Sequence, residues 1–302
     1  MFKRSIIFIL SVFFWGQNAP AGEVGHYSAG AWGPWDHMSP ARGTGQVAAG
    51  MAYYKTDKLK NSSGSERRIN ANLDLPQAMA LVKYSPKMDI LNANYSFGIV
   101  PTYGRTNINA YLSGTRFESK GEQTGWSDLY VIPANLTWDV NKYAMVSAQY
   151  ALWAPTGSYK KDRVLNNGLG YWSHDFRLTG SFFPEGNPAT LLSVSGLYEF
   201  NTKKDGKDIH PGDRFVMELG ASHVFNKYVI AGVLATANWE ITKTTGSQAT
   251  DDKKDRVFSA GPEAMIYIVP DKLSVTLRYL AEFGVKDRTQ GQFFFAFVGY
   301  QF

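Results

Sequence analysis

The constraint that most narrows the fold is an alternation of apolar and polar residues with period two that runs almost the whole length of the chain. Period two is the signature of strands with two different faces. Twelve segments carry it, at about 44–56, 75–85, 90–103, 128–139, 143–154, 171–183, 190–201, 214–225, 228–241, 256–269, 272–285 and 291–302. Each is long enough to cross a hydrocarbon layer as a tilted strand, which takes roughly 9–11 residues. Three hundred residues exceed the usual domain size, yet all-β folds of this length often form one domain.

The connections between segments separate into two kinds. After even-numbered segments come short turns, "SPKMD", "DVN", "PEGNPA", "NK" and "PD". After odd-numbered ones come long charged stretches, "DKLKNSSGSERRINANLD", "GRTNINAYLSGTRFESKGEQTGWS", "KKDRVLNNGLG", "KKDGKDIHPGD" and "TKTTGSQATDDKKD", with a shorter "KDRTQG" last. A soluble sandwich has no reason to sort its loops by length, whereas an outer-membrane barrel has short periplasmic turns and long extracellular loops. The expected fold is therefore all-β, a closed antiparallel transmembrane barrel of about twelve strands.

In segment eleven Leu273, Val275, Leu277, Tyr279, Ala281 and Phe283 share one face, against Ser274, Thr276, Arg278, Leu280, Glu282 and Gly284. Segment four sets Tyr130, Ile132, Ala134, Leu136 and Trp138 against Asp128, Pro133, Asn135 and Thr137. Alternation alone does not distinguish a lipid-facing apolar surface from a soluble core. The two ends of the chain do. At the start, "MFKRSIIFILSVFFWGQNAPAG" places Lys3 and Arg4 before an apolar run and a small-residue cleavage site. That order predicts a signal peptide over residues 1–21, hence export. At the other end "GQFFFAFVGYQF" puts Phe294, Ala296, Val298, Tyr300 and Phe302 on one face. Such an end resembles the signal read by the barrel-assembly machinery, and its strand must pair with the first to leave no backbone edge in lipid. The domain reading is then a lead at 22–42 and a barrel at 43–302, in the outer membrane of a Gram-negative bacterium and in contact with its lipid and lipopolysaccharide. Lys160, Lys161, Arg163, Arg67 and Arg68 are the loop cations placed to meet lipopolysaccharide phosphates.

The lumen face holds the candidate functional residues. Phe293, Phe295 and Phe297 point inward from the last strand, which a water-filled pore does not call for. Two readings stand, packing against an inward-folded segment or a route for an apolar solute. Lys83, Asp175, Arg177, Glu199, Glu218, Glu240, Glu263, Arg278 and Glu282 also face inward, as an ion-pair network filling a narrow barrel or as a selective constriction. The Gly- and Pro-rich lead, with Trp32, Pro34, Trp35, Met38 and Pro40, is too apolar for a free tail. It is either a plug in the lumen or an ordered periplasmic strap.

Enzyme signatures are thin. The five histidines show no metal spacing, and there is no cysteine for a thiol, a zinc site or lipidation. "HYS" and "HMS" echo the serine spacing of outer-membrane phospholipases, but lie in the lead rather than on a strand. The formal charge of +5 is too small and scattered for nucleic acid. No catalysis, cofactor or metal is expected.

Several stretches together resemble the outer-membrane family named for the meta-pathway of phenol degradation. They are "GTGQVAAGMAYYKTDK", "SDLYVIPANLTWDV", "YALWAPTGSYKKDRVLNNGLGYWSHDF" and "GLYEFNTKKDGKDIHPGDRFVMELGASH", with the aromatic terminus. The resemblance implies a barrel that takes up hydrophobic, often aromatic, compounds, and it transfers no catalytic residues. The expectation is a monomeric channel for small apolar solutes, with a hydrophilic-solute porin and a loop-borne adhesion or structural role as alternatives.

Overall fold

The computed structural model describes residues 25–67, 69–112, 118–163, 165–249 and 253–302; the expected signal peptide at 1–21 lies outside them. Strands are β1 (Thr44–Leu59), β2 (Ile69–Ser85), β3 (Asp89–Ile90), β4 (Ala93–Val100), β5 (Thr102–Leu112), β6 (Glu118–Trp126), β7 (Leu129–Asn141), β8 (Ala144–Ala154), β9 (Ser173–Phe182), β10 (Thr190–Asn201), β11 (Arg214–Asn226), β12 (Val229–Glu240), β13 (Arg256–Val269), β14 (Leu273–Lys286) and β15 (Thr289–Gln301). All pairings are antiparallel, and no helix occurs among the described residues. Pro101 interrupts one stave between β4 and β5, and Ser127–Asp128 another between β6 and β7; β3 is only the first arm of a turn. The result is a closed barrel of twelve staves.

Closure is made by β1 and β15, which pair from Gln46↔Gln301 to Leu59↔Thr289 with one irregularity at Thr56/Lys58. The ladder ends with Gly45 N donating to Phe302 O at 2.8 Å and Phe302 N donating to Gly45 O at 3.0 Å. Thus the terminal phenylalanine is tied by its backbone and does not fray. The alternation decides which face meets what. On β15, Phe294, Val298 and Tyr300 are exposed on the outside while Phe295 is 4% exposed within. On β14, Leu277 and Phe283 point out, and Arg278, Leu280 and Glu282 are buried. Around one rim Phe215, Trp239, Phe258 and Phe283 form a run of adjacent rings 5.8–6.1 Å apart, an aromatic girdle at the loop end.

Three local departures from the sequence reading have physical causes. First, β1, β2, β5 and β6 extend into stretches read as loops, 57–74 and 104–127. Beyond a hydrocarbon layer both faces of a strand meet water, so pairing continues after the apolar alternation has stopped. Second, the third stave starts at Ala93 rather than residue 90. Leu91 and Asn92 adopt φ of 54° and 59°, the paired left-handed geometry of a tight hairpin turn. Third, segment four does not keep one face. The β7–β8 register shifts between Val131 and Ala134, around Pro133. Asp128, Tyr130 and Ile132 therefore point inward together, at 1%, 2% and 1% exposure, as do Asn135 and Thr137 beyond the shift. A proline cannot donate to the ladder and is accommodated at such a bulge.

Pro76 in β2 and Pro262 in β13 also lie within the wall, but the closing strand β15 contains no proline. Ala296→Pro, between the partners Met51 and Leu277, is expected to cost several kcal/mol, because the ladder bond it removes leaves a carbonyl unsatisfied in the wall. The measurement is the gel-mobility difference between heated and unheated protein, and loss of the compact unheated band is the expected outcome.

Candidate functional site

The lead enters at the short-turn end, where Gly43 turns with φ of 78°, and climbs inside the barrel to Gly25 at the loop end. Its backbone is held by charges on the wall. Glu199 accepts from His26 N at 3.1 Å and Tyr27 N at 2.7 Å. Glu218 accepts from the Tyr27 hydroxyl at 2.9 Å, Gly30 N at 2.7 Å and Arg177 at 2.5 Å. Arg278 donates to the carbonyls of Gly30 and Ala31, both at 2.7 Å, and is paired closely with Glu263. Lower down, Lys83 donates to Asp36 O and Met38 O, Asn135 to His37 O, and Asn94 to Pro40 O. A segment without helix or strand thus has its backbone groups met by fixed side chains, which is what burial of irregular backbone requires.

The upper and middle lead lies along the β9–β14 side of the lumen, and from Met38 to Pro40 it crosses to β2, β4 and β7. On the β9–β14 side Arg214 pairs with Asp255 and donates to Asn238, while Glu240 accepts from Thr244 and from Asp255 N. Glu282 accepts from the Tyr54 hydroxyl at 2.9 Å and from Gly291 N at 2.6 Å. Opposite, the wall of β15, β1, β2, β4–β7 and β8 is apolar and borders a cavity of about 270 Å³. Phe293, Phe295 and Phe297 form a ladder of near-parallel rings, 5.7 and 6.3 Å between centroids. Tyr54 packs on Phe293 at 4.4 Å, and Trp153 on Tyr130 at 4.5 Å. Met79, Leu81 and Val100 complete the middle, with Asn167 and Thr289 at the loop end and Gln46 and Gln301 at the other.

The residues singled out from sequence therefore divide. All three phenylalanines and Arg278 border the cavity, Arg278 with its guanidinium 5.7 Å from the Phe295 ring centroid. Glu282, Glu263, Glu240, Glu218, Glu199 and Arg177 are not among its lining residues; Glu199 and Glu218 face the lead, Arg177 pairs with Glu218, Glu263 pairs with Arg278, and Glu282 and Glu240 bond other wall and loop groups. Of Trp32, Pro34, Trp35 and Met38 only Trp32 borders the cavity, 6.3 Å from Tyr130. Pro34 is buried, Trp35 donates to Ser222 at 2.8 Å and packs near Phe183, and Met38 offers its carbonyl to Lys83. Sequence reasoning missed Tyr130, whose inward turn was signalled by Pro133, and Asp128.

Asp128 is the junction of the loop end. Its carboxylate accepts from Gly157 N at 2.9 Å, Leu169 N at 2.6 Å and His26 Nε2 at 2.8 Å. His26 Nδ1 lies 2.6 Å from Ser173 Oγ. Ser, His and Asp here have the connectivity of a catalytic triad, but not its chemistry. The Asn201 amide is oriented by donating to Gly212 O at 2.8 Å, so Ser173 must give its proton to Asn201 Oδ1 at 2.5 Å. Both ring nitrogens of His26 then donate, and no base is left to activate the hydroxyl.

The buried pairs set the cost of disturbing the lead. Arg278→Met strands Glu263 and removes the donors of Gly30 O and Ala31 O, for an expected loss of about 3–5 kcal/mol. Adding Glu263→Gln should return part of it, since the second change removes the uncompensated charge. Denaturant unfolding of the detergent-solubilised protein measures both.

Comparison with solved structures follows the same outline. An outer membrane channel from Pseudomonas putida F1 matches at a TM-score of 0.74 and 14% identity, covering 92% of this chain and 100% of its own. The transport unit of the autotransporter AIDA-I from Escherichia coli matches at 0.53 and 12% identity, covering 97% and 99%. The translocator domain of the autotransporter NalP from Neisseria meningitidis matches at 0.50 and 10%, covering 87% and 90%. At such identities the likeness shows the fold, that of an outer-membrane barrel. No curated protein matches the sequence significantly. Residues 39–297 match the family described as "Putative MetA-pathway of phenol degradation", and with most of its length inside that match the chain belongs to this family.

Proposed function

We propose that the protein is a monomeric outer-membrane channel for passive uptake of small hydrophobic molecules, aromatic ones above all. The observation that carries this reading is the division of the lumen. Most of the charges and the upper and middle lead occupy one side, and the other is a cavity walled by Phe293, Phe295, Phe297, Tyr54, Tyr130 and Trp153. An apolar cavity of about 150 Å³ holds benzene, so about 270 Å³ accommodates a substituted single ring. Stacked rings offer faces on which an aromatic solute exchanges partners without a deep minimum at any one of them. The solute is captured among the loops, passes along the phenylalanine ladder, and is gated by the lead, with Trp32 at the boundary. A diffusion porin for sugars has no use for such a wall.

Two further roles belong to this reading. The aromatic last strand serves the barrel-assembly machinery, and Lys160, Lys161, Arg163 and Arg67 at the loop end face lipopolysaccharide phosphates. Neither alters the solute class.

Uptake of a labelled monoaromatic and of a small sugar by intact cells, with and without the protein, tests the proposal. Faster uptake of the aromatic alone is expected, and Phe295→Asp should abolish the gain by placing a charge on the apolar wall. Faster uptake of the sugar, or no change in either, overturns it. Removing residues 26–42 should raise ion conductance in planar bilayers; an unchanged conductance speaks against gating by the lead.

A further inference from the structure

Asp128 stands where the sixth and seventh strands break, and three separate parts of the chain meet around it, two of them on its carboxylate. The first is the loop between β8 and β9, residues 155–163 and 165–172. It folds inward over the loop end of the cavity instead of standing away from the barrel. Gly157 N and Leu169 N, one from each arm of this loop, donate to Asp128. At both Gly157 and Gly168 a Cβ would come within 2.8 Å of Asp128 Oδ1, so glycine is what allows the arms to close on it. The second is the wall, which the loop also grips. Asn167 donates to Gly104 O at 2.7 Å and Gly125 O at 3.0 Å and accepts from Thr106 at 3.0 Å; Leu165 packs with Tyr54, Leu73 and Ile108. The third is the amino-terminal lead, through His26.

Loop and lead both touch Asp128 at the cavity mouth, and Asn167, Leu169, His26 and Asp128 all border it. We propose that Asp128 is the shared positioning residue of an extracellular lid and the upper end of the lead, so that the two open as one unit. Its carboxylate has more acceptor capacity than either element alone uses, and all of it lies 1% exposed. Freeing His26 leaves a buried anion held only by the two lid amides, and freeing the lid leaves it held only by His26. Each departure therefore raises the free energy of the anion that the other must keep desolvated, and coupling of that kind is reciprocal. The functional consequence, concerted admission of solute, rests on the channel reading above. The coupling itself does not.

Amide hydrogen exchange on the intact chain in detergent separates the two. His26→Ala is expected to speed exchange of the Gly157 and Leu169 amides about tenfold, as loss of a charge-assisted contact allows, though neither amide touches His26. Asn167→Ala, which loosens only the lid, is expected to speed the His26 and Tyr27 amides by a similar factor. Strand amides of β10–β15 unchanged from wild type show that the barrel is folded, and should His26→Ala fail to fold, the Asn167→Ala arm decides alone. Effects confined to the mutated element, lead only or lid only, overturn the proposal. No solute enters the measurement, so its failure is distinct from a failure of transport.

Discussion

Everything inside the barrel depends on one matching of groups, the wall's buried charges against the backbone of the lead. Glu199 and Glu218 take its amides, and Arg278 and Lys83 take its carbonyls. Charges of either sign on a closed lumen wall need partners, and an irregular segment away from water needs donors and acceptors. Each solves the other's problem. Because most of the matching charges sit on β9–β14, the upper and middle lead is drawn to that side. The phenylalanine ladder and its neighbours are left with nothing polar to satisfy, and they enclose the cavity.

The fold was legible because the bilayer writes it twice, in the alternation along each strand and in the sorting of connections by length. Lipid-facing Leu277 and Val298 and inward Arg278 and Phe295 follow from parity alone. At Pro133 the faces exchange, and that exchange brings Tyr130 into the cavity, whereas across Pro76 and Pro262 parity holds. The polar extensions of β5 and β6 were not legible, because strands with water on both faces carry no apolar period.

The site was legible in part. "ANLDLPQAMALVKY" is apolar at Leu73, Leu75, Met79 and Leu81 as well as at Ala78, Ala80 and Val82. A strand apolar on both faces implies an apolar lumen beside it, a signal of the same kind as Phe293, Phe295 and Phe297. The side on which the lead would lie was not legible, since it depends on which charges meet which backbone groups across 150 or more residues of chain. Nor was the role of Asp128. The stretches "SDLY", "APTGSY", "GLGYWS", "EFNTK" and "HPGD" are far apart in sequence, and the structure joins them through Asp128, Ser173 and Asn201 into one hydrogen-bonded chain reaching Asp213.

On the proposed function, the apolar conduit runs beside the lead and not through the space it fills. A covalent lock tests this most directly, in a chain that has no cysteine of its own. A Cβ at Gly220 would lie 2.9 Å from the Pro34 Cβ, near enough for Pro34→Cys with Gly220→Cys to form a disulfide after a small shift. Uptake of a monoaromatic by cells carrying the oxidised double variant, compared with the same variant reduced, is the measurement. Undiminished uptake with the middle of the lead tied to the charged wall is the predicted result. Uptake abolished by oxidation and restored by reduction would mean that the lead must leave the lumen, and would rule out a conduit beside it.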